Sequence, residues 1–328
     1  MDAALNLAFS MHKNPGIYAL LLGSGISRSV GIPTGWEVTQ DIFRQLGAMG
    51  NHGLAEDIRY DELFTALGKT QTERNSILRG YFEPTPEESE KGLKIPSKAH
   101  RAIAELVKSG YIKVILTTNF DRLMEIALED IGITPDIVRS DDMLLGAVPI
   151  RHSAITIIQL HGDYRDVRTL NTPSELATYS AVKNKLLDTI FEEYGLIVCG
   201  WSATWDAALR DAIFRVQSRR YSTYWIEPYE LSQEAKDVIN HRSAELIPVV
   251  ADDVFTDLQS KVEALERLNR QHPLTVAVAV ERVKKGSVRL KAPCRTLATV
   301  AAAVPGPGTA RVALGAAPSS RRGRLAGV

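Results

Sequence analysis

Runs of apolar residues that stop abruptly at glycine or polar side chains punctuate the chain. They are "IYALLLG" (17–23), "IKVILTTNF" (112–120), "AITIIQLHG" (154–162), "GLIVCGWS" (195–202), "STYWIEP" (222–228) and "AELIPVV" (244–250). Each has the length of a strand, and near-continuous Val, Ile and Leu content marks strands buried on both faces, as in a parallel sheet. Between these runs the apolar period changes to that of a helix. "DRLMEIALEDIG" places Leu123, Met124, Ala127, Leu128 and Ile131 on one face and stops at Gly132. "SAVKNKLLDTIFEEYG", "TWDAALRDAIFRVQ" and "DVFTDLQSKVEALERL" behave in the same way.

This strand–helix alternation predicts an α/β fold, with a doubly wound, mainly parallel Rossmann-like sheet. Residues 38–110 interrupt it. They are mostly polar and helical in pattern, with "EPTPEESEKGLKIP" as a loop inside, and read as a small helical module inserted after the first strand. The organised domain is expected to span residues 1–281. Residues 282–328 lack acids and periodicity, are rich in Ala, Gly, Pro and Arg, and read as a disordered tail.

Composition changes this picture in two places. The chain has 39 basic and 39 acidic residues, but after Glu281 ten Lys or Arg follow with no acid, so residues 1–281 carry about −10 and the tail about +10. Nucleic-acid binding would rest on that tail alone and is disfavoured. The tail also reads as the truncated or out-of-frame ending of a longer protein. Only Cys199 and Cys294 occur, too few for a disulfide framework or a four-cysteine zinc site, which fits a reducing compartment. The N-terminus has an early acid, Asp2, and no basic region before a short apolar run. A cytoplasmic protein with no membrane segment is therefore expected.

Four stretches carry candidate chemistry. In "LLLGSGISRSVGIP", Gly23, Ser24 and Gly25 fall at a strand-to-helix turn, where bare backbone amides favour a pyrophosphate; the same glycines also suit an ordinary turn. The third glycine, Gly31, comes too late for the G-x-G-x-x-G fingerprint, and a helical stretch rather than a second strand follows, which disfavours a hydride-transfer enzyme. In "TTNFD", Thr117, Thr118, Asn119 and Asp121 supply four polar side chains at a strand end, of which a helix cap needs one. In "QLHGD", His161 ends a strand on the same carboxyl edge, either as a structural histidine or as a chemical group. "GWSATWD" brings Gly200, Ser202 and Asp206 to that edge, and Glu227 ends "TYWIE", where an acid suits a ribose.

Taken in order, these stretches resemble the NAD-binding domain of sirtuins over roughly residues 15–270. "GSGISRSVGIP" resembles the family's glycine turn and loop, "TTNFD" its T-x-N-x-D element, "QLHG" the segment with its catalytic histidine, and "GWS" its late glycine–serine element. The resemblance implies that Gly23, Ser24, Gly25, Ile26, Ser27 and Pro33 hold the dinucleotide. It implies that Thr118, Asn119 and Asp121 flank the nicotinamide end, with His161 beside the attached ribose. Gly200 and Ser202, with Asp206 and Glu227, would line the phosphate and adenosine side.

Departures from the family indicate which activity to expect. The two cysteine pairs that hold zinc in deacylase sirtuins are missing, so no zinc is expected. After "GIP", deacylases usually show an acid-Phe-Arg, where this chain has Thr34, Gly35, Trp36 and Glu37. The pattern is similar to the zinc-free, sirtuin-like NADases of bacterial antiphage defence. It implies an NAD glycohydrolase that cleaves NAD to nicotinamide and ADP-ribose, with Asn119 and His161 catalytic. Such proteins usually carry a sensor or oligomerising part, which here would be a missing segment or a partner protein, and self-association stays open. The alternatives are an NAD-dependent deacylase or ADP-ribosyltransferase, and a non-catalytic module that senses NAD or ADP-ribose.

Overall fold

The computed structural model describes residues 3–48, 70–163, 165, 176–269 and 280–281. The middle of the helical insert and the basic tail with Cys294 lie outside these residues. Two compact units divide the chain, Met1–Arg270 and Gln271–Val328, and the fold below is that of the first.

Seven parallel strands form one sheet: β1 (Tyr18–Leu22), β2 (Ile112–Thr117), β3 (Asp136–Val138), β4 (Thr156–Gln159), β5 (Gly195–Cys199), β6 (Thr223–Ile226) and β7 (Glu245–Ile247). Their order is β3-β4-β2-β1-β5-β6-β7. The sheet is the expected doubly wound, Rossmann-like architecture. Six of its strands coincide with the apolar runs of the sequence; β3, three residues at the sheet edge, is additional.

Alternating side chains explain why both faces need covering. Tyr18, Leu20 and Leu22 join one apolar cluster, which takes in Leu7 and Met11 of helix Ala3–Lys13 and Phe255 and Leu258 of helix Ala251–Asn269. Ala19 and Leu21 join the other, with Leu187 and Phe191 of helix Ala181–Glu193 and Leu209 and Ile213 of helix Ala207–Arg215. All five β1 residues are buried, as a central strand between two helical layers requires.

Between β1 and β2 lie helices Gly35–Ala48, Gln71–Phe82, Pro86–Glu90 and Lys98–Lys108. The last of these buries Ala99, Ala102, Ile103 and Leu106 in the first cluster and is the crossover that returns the chain to the sheet. From β1 the chain runs to β2 on one side, and from β4 it crosses to β5 on the other. The carboxyl ends of β1 and β5 thus bound the switch point at which open α/β sheets leave a crevice. Among the described residues no helix is long and apolar enough to cross a membrane.

Candidate functional site

At the switch point two glycine bends pack back to back. The Gly23 N–H donates to Cys199 O and the Gly25 N–H to Gly200 O, each at 2.9 Å. A Cβ on Gly23 would lie 2.3 Å from Gly200 O, and one on Gly25 2.7 Å from Gly200 Cα. Gly200 itself has φ +65°. No side chain fits between these bends, so the glycines are required by the protein's own backbone. The 3₁₀ helix Ser24–Val30 follows, and Gly31, left-handed at φ 80°, closes it by donating to Arg28 O and Ser27 O. That role accounts for the late third glycine.

Beyond β2, Asp121 bonds to Asn119 and, back across the site, to Ser27 of the 3₁₀ helix. Asp121 Oδ1 accepts from the Leu123 N–H at 3.0 Å, at the start of helix Leu123–Glu129. Its Oδ2 accepts from Ser27 Oγ at 2.9 Å and Asn119 Nδ2 at 3.2 Å. The glycine turn and the β2 terminus are tied together through this carboxylate. Burial raises the Asp121 carboxyl above the usual range, opposed by these three donors. With the Asn119 amide nitrogen committed to Asp121, its Oδ1 is fixed on the other side. That oxygen is buried and has no partner among the described residues. An acceptor left in this state costs about 1–3 kcal/mol until a donor reaches it.

His161 follows β4, whose terminus pairs with that of β2, and its ring centroid lies 6.3 Å from that of Phe120. His161 Nε2 is 2.6 Å from Asp206 Oδ2 and 3.2 Å from the Tyr179 hydroxyl. The Tyr179 hydroxyl donates to the same Asp206 oxygen. Asp206 Oδ1 accepts from the Leu209 N–H at 2.8 Å and caps helix Ala207–Arg215. All three residues are buried. Burial, then the Asp206 charge, pushes the Tyr179 phenol far up, so it stays protonated. Lys183 adds a cation beside them, with Nζ 3.0 Å from Leu160 O and 5.0 Å from the Tyr179 ring centroid.

A buried ion cluster supports this edge from behind. Glu125 accepts from Arg122 at 2.6 and 2.8 Å, from Arg139 at 2.9 Å and from Gln159 at 3.0 Å. Asp163, two residues past His161, lies 3.7 Å from Arg122 and 3.5 Å from Arg139. The cluster joins the segments after β2, β3 and β4.

On the other side of the glycine bends opens a cleft of about 550 Å³, within the size range of small-molecule sites. Ser24, Gly25, Ile26, Gly200, Ser202 and Glu227 line it, with Arg28, Trp205 and Tyr229. The Arg28 guanidinium lies 5.2 Å from the Tyr229 ring centroid and pairs with Glu37 at 2.8 Å. Burial raises the Glu227 carboxyl, opposed by the Tyr229 N–H and Arg28. Burial likewise pushes up the Cys199 thiol on the cleft wall, which keeps it protonated and unreactive.

The sequence-derived candidates therefore separate into three groups, with Pro33 and Asp206 apart from them. Ser24, Gly25, Ile26, Gly200, Ser202 and Glu227 face the cleft. Gly23 is packed on Gly200, and Ser27 is wholly buried against Asp121, so both shape the site from beneath. Asn119, Asp121 and His161 stand at the neighbouring strand ends, with Thr118 bonded through its N–H to Leu22 O at 3.0 Å. Pro33 precedes Thr34, which lines the cleft and, with Glu37, makes a capping box for helix Gly35–Ala48. Asp206 lies with His161 and Tyr179, both of its oxygens bonded to protein groups. Tyr179, Arg28, Tyr229 and the Glu125 cluster are absent from the sequence-derived set. Trp205 and Tyr229 lie within three residues of the chosen Asp206 and Glu227, which was the available signal for them.

Fold and edge define a doubly wound α/β protein with its polar side chains gathered at the β1–β5 switch point. Residues 113–247, from β2 to β7, match the family model described as the SIR2-like domain, so the chain carries a sirtuin-like domain. A comparison with curated proteins finds no match. Similar solved structures include a Sir2 homologue variant in complex with ADP ribose, at 20% identity over 83% of this chain and 100% of that one, with TM-score 0.49. A Sir2 homologue–NAD complex is 20% identical over 81% of this chain and 95% of that one, with TM-score 0.48.

Proposed function

We propose that the protein is an NAD glycohydrolase that converts NAD and water to nicotinamide and ADP-ribose. The observation that carries this reading is the Asn119 amide, whose nitrogen is held by Asp121 while its buried Oδ1 waits for a donor. A water or sugar hydroxyl supplies such a donor. The sirtuin-like domain and the adjacent nucleotide-sized cleft support NAD as the molecule that brings the ribose there.

The bond between ribose C1′ and the nicotinamide nitrogen breaks with its electron pair leaving on nitrogen. The leaving group starts as a pyridinium and departs neutral, so no general acid is needed and a glycosidase pair of carboxylates is unnecessary. Asn119 Oδ1 holds the attacking water and His161 takes its proton or bonds the ribose hydroxyls. Asp121 keeps Asn119 oriented. Ser24, Gly25 and Gly200 lie beside the pyrophosphate, and Glu227 receives the adenosine ribose. Pro33 and Thr118 shape the loops around the dinucleotide, and no zinc takes part. The chain would act in the cytoplasm, where NAD depletion would serve defence against phage. A sensor or oligomerising partner would control it.

Mass spectrometry of the products tests the reading. Full-length chain incubated with NAD, with and without an acetylated peptide, should yield nicotinamide and free ADP-ribose in both. O-acetyl-ADP-ribose or a modified protein as the main product would replace hydrolysis by deacylation or transfer.

A further inference from the structure

We propose that Asp206 is a positioning residue that fixes His161 as its Nε2–H tautomer and so leaves the basic lone pair on Nδ1. The inference rests on the proposed NAD hydrolysis and deepens it by assigning the atom of His161 that takes the proton.

The geometry leaves little choice. A carboxylate only accepts, so a nitrogen 2.6 Å from Asp206 Oδ2 must carry hydrogen. Three donors converge on this one side chain: His161 Nε2, the Tyr179 hydroxyl and the Leu209 N–H. Both of its oxygens thus act as acceptors, in a site only 2% exposed. A neutral imidazole with its hydrogen on Nε2 has its acceptor on Nδ1.

Helix capping alone does not account for the residue. The cap uses Oδ1, and an asparagine would fill it equally well while burying no charge. The second oxygen, turned to a histidine 45 positions earlier in the chain, is what requires a carboxylate. When NAD is hydrolysed, the water oxygen bonds to C1′ and its proton passes to Nδ1. The imidazolium so formed is held by Asp206 through Nε2–H.

Long-range ¹H–¹⁵N NMR of the histidine-labelled full chain reads the tautomer without any turnover, with the His161 signals assigned by their loss in His161→Gln. In the wild type the neutral ring should carry its hydrogen on Nε2 and none on Nδ1. Asp206→Asn, which retains the cap, should lose this preference and lower kcat by about 10²–10⁴-fold with KM changed only a few-fold. A wild-type His161 with its hydrogen on Nδ1 would overturn the inference. So would an Asp206→Asn protein with unchanged tautomer and kcat. NAD cleavage that depends on His161 but not on Asp206 sinks this assignment and leaves the hydrolase standing. The expected tautomer without NAD cleavage supports the assignment and removes the hydrolase.

Discussion

Asp121 holds the Asn119 amide through Oδ2, at 3.2 Å, while its Oδ1 receives the Leu123 N–H at the head of the next helix. Asp206 repeats the arrangement, capping one helix and holding His161. Each aspartate therefore couples a helix start to one candidate reacting side chain. Capping and the hold on that side chain, which compete as explanations of an Asp at a strand end, here use different oxygens of one carboxylate.

Asp121→Asn should separate the two tasks. Its single carbonyl can still cap Leu123, but its amide hydrogens then face Asn119 and reverse that amide. NAD turnover is expected to fall by about 10²-fold, the scale of a misplaced reacting group, with the helical circular dichroism retained. Unchanged turnover would show that the Asn119 orientation is irrelevant.

Ser27→Ala removes a buried donor from the Asp121 carboxylate without touching the cleft. Leaving that oxygen short of a partner should cost about 1–3 kcal/mol, read as a lower urea midpoint with an unchanged slope.

The glycine bends give a sharp contrast. A methyl group on Gly23 meets Gly200 O at 2.3 Å and Trp201 Cα at 2.5 Å, both backbone atoms that cannot swing away. Gly23→Ala should therefore abolish folding to a monodisperse protein. Gly80, in helix Gln71–Phe82, has nothing within 4 Å of the added methyl, and Gly80→Ala should stabilise by about 0.5–1 kcal/mol. Equal thermal midpoints for the two variants would contradict the packing described.

How much of this was legible in sequence follows from what each feature depends on. Sheet strands announce themselves by local apolar runs, so β1, β2, β4, β5, β6 and β7 could be read. Asp136–Val138 could not: the stretch "TPDIVRS" holds only two adjacent apolar residues, whereas the equally short Glu245–Ile247 lies within the longer run "AELIPVV". Positions at the carboxyl edge were legible because strand ends were. The partners were not. Tyr179 lies 18 residues from His161, and Asp206 45 residues from it, and only the fold brings the three together. Glu125 is not among the apolar-face positions of "DRLMEIALEDIG", yet it is 1% exposed because Arg139 and Gln159 reach it from other elements.

His100 supplies a pH dependence of stability. It is buried at the N-terminus of helix Lys98–Lys108, with Nδ1 2.9 Å from Ser97 Oγ, and desolvation lowers its imidazole to about 4. The unfolded value is about 6.5. As pH falls between these values the unfolded chain takes a proton that the folded one refuses, so stability present above pH 6.5 is lost toward pH 4, by up to about 3 kcal/mol. His100→Gln keeps a side chain able to close the Ser97 capping box. Its urea midpoint should fall less over that interval, and an identical fall would contradict the assignment.

The most direct test measures nicotinamide release from NAD by the full-length chain beside its Asn119→Ala and His161→Ala variants, at equal folded concentration. The account predicts one ADP-ribose for each nicotinamide from the wild type and a rate about 10²–10⁴-fold lower in each variant. Wild-type rates in both variants, or tight NAD binding by the wild type without any nicotinamide release, would contradict it.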